Sequence, residues 1–165
     1  MNRLPLELTR GEYLISTDPA RLDPVAIHQY LRRSYWAEGI PLDVVERSLE
    51  GSLCFGLYRA GRQVGFARVI TDRATFAYLG DVYVLEEHRG SGLGKWLMGA
   101  VLAHPALVAL RRFVLVTRDA HTLYSRFGFT PLRNPAGFME IHRPEIYREN
   151  SSPARRNSPS TGSPS

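Results

Sequence analysis

The residues of this chain best suited to chemistry stand together in Arg89-Gly90-Ser91-Gly92-Leu93-Gly94-Lys95. An apolar strand pattern ending in Val82-Tyr83-Val84 leads into three alternating glycines, and a helical pattern starts at once. Successive backbone N–H groups in such a loop, with the unsatisfied N–H groups of the first helical turn, form a cradle for an anion; glycine lets phosphate oxygens approach the main chain. A turn alone does not require three glycines. A P-loop is excluded, because position 89 would have to be glycine and a hydroxyl residue would have to follow Lys95, where Trp96 stands. A dinucleotide fingerprint starting at Gly90 would need glycine at Lys95 and a preceding βαβ unit, and it has neither. Other reactive side chains are scattered. Asp81 lies inside an otherwise apolar strand, where an unpaired carboxylate is costly and a hydrogen-bonded bulge or salt bridge is the alternative. Cys54 lies on a strand and reads as a small buried side chain. The five histidines form no cluster, so no metal is expected.

The elements that position this loop can be read from periodicity. A strand is expected over Glu12–Thr17. Helices follow from Asp23-Pro24 to about Ser34 and over Pro41–Glu50, with Asp23 as N-cap and Gly51 as a stop. Leu53–Arg59, Gln63–Thr71 and Thr75–Leu85 read as an antiparallel meander. Leu93, Trp96, Leu97, Ala100 and Val101 mark one face of a helix from Gly92 to Ala103. Arg112–Thr117 is a short apolar strand, Asp119 is the expected cap of a short helix carrying Leu123, Tyr124 and Phe127, and a last strand is expected over Gly137–His142. A meander followed by alternating helices and strands is an α/β arrangement around a mixed sheet.

Composition sets limits on the rest. The chain has 165 residues, of which 44% are apolar and 22% are charged. These values fit one folded domain. That domain is expected over residues 1–147. Arg148–Ser165, with six Ser, three Pro and three Arg, is expected to be a flexible tail. The net charge is +5, and +3 without the tail. No basic stripe with stacking aromatics accompanies it, so nucleic acid is not an expected partner. No apolar stretch is long enough for a membrane span, and the N-terminus lacks a secretory signal. With a single cysteine, this makes the cytoplasm the expected location.

Arg89-Gly90-Ser91-Gly92-Leu93-Gly94 matches the Arg/Gln-x-x-Gly-x-Gly/Ala signature of the GNAT acetyltransferases, and His121–Phe129, with Tyr124 ahead of Gly128-Phe129, resembles that superfamily's second motif. The resemblance covers roughly residues 11–142. It implies the GNAT acyl-CoA N-acyltransferase fold, a mixed, mostly antiparallel sheet splayed between the fourth and fifth family strands. It also implies acetyl-CoA as co-substrate and direct transfer of the acetyl group to a primary amine of a small molecule or protein. The pyrophosphate would lie on the N–H groups of Arg89, Gly90, Ser91, Gly92, Leu93, Gly94 and Lys95, and the pantetheine arm along Val82, Tyr83 and Val84, pairing with the main chain of Val82 and Val84. Tyr124 would protonate the departing thiolate. Asp81 is the first choice of general base, with Tyr78 and Glu86 as alternatives. Tyr35, Trp36 and Glu38, between the N-terminal helices, would hold the amine. A GNAT-like domain that senses acyl-CoA or binds a partner without turnover is the competing reading, and a homodimer is left open.

Overall fold

The computed structural model describes residues 4–149. Arg155 and Arg156 and most of the expected tail lie outside them. Six strands form one sheet in sequence order: β1 (Glu7–Arg10), β2 (Tyr13–Ser16), β3 (Leu53–Arg59), β4 (Arg62–Thr71), β5 (Phe76–Val84) and β6 (Arg112–Leu115). Neighbours are antiparallel except β5 and β6, which run parallel. The helices are α1 (Pro24–Leu31), α2 (Leu42–Glu50), α3 (Leu93–Ala103), α4 (His121–Ser125) and α5 (Ile146–Glu149).

Period-two alternation in the meander sends side chains to both faces of the sheet, and each face is covered. Phe55, Leu57, Val64, Val69 and Leu79 pack with Leu93, Leu97, Met98 and Val101 of α3. Cys54, Phe66 and Tyr83 point the other way, into a second cluster with Ile27, Leu31 and Val45 of α1 and α2. Asp23 caps α1 by accepting from the Ala26 N–H, with Pro24 at the first helical position. Burial raises the Cys54 thiol from its ordinary value to about 12, and the nearby Arg68 charge only partly offsets this. Native Cys54 is therefore expected to react with iodoacetamide at pH 7.5 at least ~1000-fold more slowly than the thiol of the denatured chain, because the thiolate is the nucleophile. Mass spectrometry before and after unfolding measures this, and rapid native labelling would show that the thiol is not held inside. The unfolded thiol ionises from about pH 9 while the folded one stays neutral, so this contribution to stability is lost as pH rises from 9 toward 12.

Four expectations need correction. β1 was not anticipated: it is a polar, largely exposed edge strand joined to β2 through Gly11 at φ +58°, so it shows little hydrophobic alternation. The first helix stops at Leu31, short of Ser34. Asp119 does not cap α4; the N-cap position is Ala120, whose N–H donates to Thr117 Oγ1 instead. Finally, Gly137–His142 is not a strand. A 3-10 turn over Pro135–Gly137 is followed by residues that join no sheet, and an open cleft lies beside β6, lined by Phe113, Phe127, Phe129, Leu132 and Phe138. Arg148 belongs to α5 and pairs with Glu38 at 2.6 Å and Glu145 at 2.9 Å.

Candidate active site

The glycine loop has the geometry of an anion cradle. Gly90 adopts φ +94°. Gly92 adopts φ +79°. L side chains resist this left-handed conformation. The first backbone donor of the helix start to find a carbonyl is Trp96, which donates to Gly92 at 3.0 Å. Among the described residues, the N–H groups from Gly90 to Lys95 have no backbone partner. A Cβ built on Gly90 or Gly94 meets nothing within 4 Å, so the space in front of the loop is open. The Arg89 N–H is not part of this cradle, because it donates to the Glu86 carbonyl at 3.2 Å. The Arg89 side chain instead fastens the strand end, with Nε to the Val84 carbonyl at 2.8 Å and Nη2 to the Tyr30 hydroxyl at 3.1 Å. Arg10, from β1, holds the loop from outside by donating to the Ser91 carbonyl at 2.9 Å while stacking over Trp96.

The strand before the loop has a free edge. Pairing between β5 and β6 ends at Leu79 opposite Leu115, yet β5 continues to Val84. The Leu85 N–H donates to Val64 on the β4 side, so strand alternation turns the N–H and C=O groups of Val82 and Val84 to the opposite edge. Tyr83 points inward, buried and stacked on Tyr30 with ring centroids 3.9 Å apart.

Asp81 sits where the β4–β5 register shifts, at φ +54°. Its carboxylate is not unpaired: Oδ2 accepts from Arg68 Nε at 2.7 Å and Oδ1 from Trp36 Nε1 at 2.9 Å. Trp36 thus bends back over β5, with Tyr35 edge-on beside it at 5.1 Å. The Tyr35 hydroxyl accepts from the Arg118 N–H at 3.3 Å, and the Arg118 guanidinium lies 3.8 Å from the centre of its ring. Glu38 lines a small cleft with Tyr35 and Trp36, its carboxylate held by Arg148 at 2.6 Å. Tyr124 lies on α4, near Tyr35. Burial holds the Tyr124 phenol above its ordinary value, and no hydrogen bond to its hydroxyl is found among the described residues.

An acetyltransferase (GNAT) domain family matches residues 50–131, which include β3–β6, the glycine loop and Tyr124. A solved Xanthomonas campestris pv. campestris protein, described as a putative acetyltransferase of the GNAT family, is 56% identical and superimposes with TM-score 0.80. That alignment covers 82% of this chain and 96% of the other. A Gibberella zeae protein named "Putative acetyltransferase FG08082" is 39% identical over 145 residues, covering 74% of this chain and 81% of its own length. The chain belongs to the GNAT acetyltransferase family. At 14% identity, a Clostridium acetobutylicum protein solved with acetyl-CoA shares the fold, with TM-score 0.57 over 79% of this chain and 94% of that one.

Within this GNAT domain, sequence reading missed Arg68, Tyr30, Arg10 and Arg118. Arg68 carried a usable signal: it is a charge inside the apolar run Phe66-Ala67-Arg68-Val69, the counterpart of Asp81 on the next strand. The other three are brought to the site by packing alone. The Arg68 and Asp81 side chains are only 17% and 10% exposed. Asp81→Ala should therefore destabilise by about 3 kcal/mol in chemical denaturation, because it leaves a nearly buried guanidinium without its partner and puts Ala at a left-handed φ. A loss below about 1 kcal/mol would mean that water reaches Arg68 and the pair is not structural.

Proposed function

We propose that this GNAT domain is an acetyl-CoA-dependent N-acetyltransferase that passes the acetyl group directly to a primary amine. The observation that carries this is the row of unpartnered N–H groups from Gly90 to Lys95, immediately beyond the free edge of β5. A diphosphate fits the first, and an extended amide chain fits the second. A pantetheine arm seated on the Val82 and Val84 edge would bring its thioester toward Asp81, Trp36 and Tyr124. The Val84 carbonyl is already taken by Arg89, which leaves the Val84 N–H and both backbone groups of Val82 for the arm.

In the reaction, the amine nitrogen forms a bond to the acetyl carbon, the carbon–sulfur bond breaks, and sulfur leaves with the electron pair. Tyr124 is assigned the stabilisation of that sulfur. A phenol at its ordinary value of about 10 is a weaker acid than a thiol at about 8.5, so full proton transfer is uphill by roughly 2 kcal/mol. Burial makes it steeper. The hydroxyl therefore acts chiefly by donating a hydrogen bond to the developing thiolate, with the proton following as CoA leaves. Asp81 is assigned the acceptor's positive charge: each carboxylate oxygen keeps lone-pair capacity beyond its bond to Arg68 or Trp36, enough to orient an ammonium and receive its proton through water. Trp36 and Tyr35 supply aromatic faces beside it. Glu38, already paired with Arg148, is assigned to the rim of this wall.

The test is thiol release from acetyl-CoA across polyamines, arylalkylamines, aminoglycosides, amino acids and lysine peptides, with acetyl-CoA binding followed by calorimetry. Turnover on one class supports the reading and names the acceptor. Binding without turnover on any class would favour a sensing domain, and failure to bind acetyl-CoA would overturn the assignment of the cradle.

A further inference from the structure

Arg118 is held in place without being neutralised. Its backbone N–H donates to the Tyr35 hydroxyl at 3.3 Å, and its guanidinium lies 3.8 Å from the centre of the Tyr35 ring. The loop that carries it is tied by the Ala120 N–H, which donates to Thr117 Oγ1 at 3.0 Å. Stacking on an aromatic face leaves the edge of a guanidinium, where its N–H donors lie, free for another group. On the same side of the molecule, Arg68 and Arg148 have carboxylates at 2.7 and 2.6 Å. Among the described residues, the carboxylate that pairs with Arg118 is that of its neighbour Asp119, at 3.8 Å, and both side chains are mostly exposed. Such a pair contributes little and leaves most of the donors for a ligand.

Arg118 and Asp81 mark the two ends of one aromatic wall. The Tyr35 ring against Arg118 meets Trp36 edge-on at 5.1 Å, and Trp36 Nε1 donates to Asp81 Oδ1 at 2.9 Å. Tyr35 and Trp36 stay 49% and 41% exposed, so the wall is open to a ligand along its length. Tyr35 also lies near Tyr124, which ties the wall to the proposed acid. The chemical complement of such a wall is a molecule with a cation at one end, an anion at the other and an apolar or planar stretch between them.

We propose that Arg118 selects the acceptor by binding a carboxylate at the end remote from the reacting amine, through paired N–H···O bonds. This rests on the reading of Asp81, Trp36 and Tyr35 as the acceptor wall, and it names the acceptor's class: an amino acid whose reacting amine is set several bonds from its carboxylate. Two rings stand between the charges in the chain of contacts, so an α-amino acid, with both groups on one carbon, does not meet both ends. A carboxylate suits the site better than a phosphate. The Asp119 carboxylate beside Arg118 already offsets part of its charge and repels a second negative charge on the ligand.

Equilibrium binding and thiol release together separate this proposal from the acetyl-transfer reading. In calorimetry on the full chain, with and without CoA, ε-aminohexanoate should bind about 10- to 100-fold more tightly than its neutral amide. It should also bind more tightly than the phosphonate of the same chain, and glycine should show no such advantage over glycinamide. Arg118→Ala should bring the acid-to-amide ratio close to one. Arg118→Lys, which keeps the charge but not the planar fork, should retain part of the preference. The ratio is the readout, because a loosened Tyr35 would weaken acid and amide alike. With acetyl-CoA, the kcat/KM ratio of the same pair should follow the binding ratio. Binding that depends on Arg118 without thiol release from any amine would overturn acetyl transfer and support the anion site. Thiol release with no preference for the acid would overturn the role of Arg118 and leave acetyl transfer standing. No measurable binding of the acid, a preference that survives Arg118→Ala, an equal preference for glycine, or tighter binding of the phosphonate would each overturn the proposal.

Discussion

Tyr124→Phe should lower kcat about 10- to 1000-fold, toward the lower part of the general-acid range, while the Kd for acetyl-CoA stays within about twofold. The substitution removes one oxygen from a ring that packs edge-on against Phe129 and leaves that ring in place. The hydroxyl has no described hydrogen-bond partner to lose, so stability should change by less than about 1 kcal/mol. Its burial also fixes the pH dependence. Because the phenol is held above its ordinary value of 10.0, it stays protonated across the working range. The kcat/KM of the wild type should rise with pH as the acceptor amine loses its proton, with no falling limb from Tyr124 below pH 10. Steady-state kinetics on the acceptor found in the panel, run beside calorimetry with acetyl-CoA, separates the terms. An unchanged kcat would remove Tyr124 from the chemistry and leave it a packing residue, whereas a falling limb near pH 8 would place the catalytic acid elsewhere.

The second large effect belongs to the loop. Gly92→Val should weaken acetyl-CoA binding by about 10-fold or more, because the loop can no longer take its anion-binding shape without cost. The φ of Gly92 is left-handed, at +79°. A residue with a Cβ resists that conformation, and a β-branched one more so, which costs about 1–2 kcal/mol if the loop is to keep its shape. If the loop relaxes instead, the N–H groups no longer converge. In the first case binding must meet that cost and in the second the cradle is lost, while the free protein has room for the new atoms: among the described residues a Cβ there meets Arg10 Nη2 at 3.6 Å and nothing nearer. Gly94→Ala is the control. Gly94 has no left-handed φ, a Cβ on it meets nothing within 4 Å, and it lies in the first turn of α3. There Ala should raise stability by up to about 1 kcal/mol and leave binding nearly intact. Calorimetry and thermal unfolding on both variants give the comparison. Wild-type affinity in Gly92→Val would show that the phosphates sit elsewhere.

The contrast between these positions and the acceptor wall shows what kind of information each needed. Phosphate recognition by main-chain N–H groups is a local property. The strand, the glycines and the helix start are contiguous, so Arg89–Lys95 could be nominated from the sequence, although the Arg89 N–H is taken by Glu86; the hairpins of β3–β5 and the apolar face of α3 were legible in the same way. Tyr124 was legible for a related reason, being fixed by a short motif that ends in Gly128-Phe129.

What surrounds Asp81 was not legible in that way. Its partners come from 13 and 45 positions away, and whether a carboxylate within a strand is bare or neutralised depends on which side chains packing delivers to it. Charge pairs of opposite sign on neighbouring strands can be sought in sequence, but the β4–β5 register shift that joins Arg68 to Asp81 cannot. The same holds for Arg10 beside the loop and for Glu38, whose carboxylate is paired with Arg148 of α5. Gly137–His142 makes the point from the other side: alternation specifies a strand's two faces, and only the arrangement of sheet edges decides whether a partner is there to complete it. Sequence alone therefore determined most of the local elements and nominated the anion cradle and the acid candidate, because each depends on neighbours a few residues apart. Tertiary structure decided the charge balance and shape of the proposed acceptor wall, because those depend on which distant side chains share a low-dielectric space.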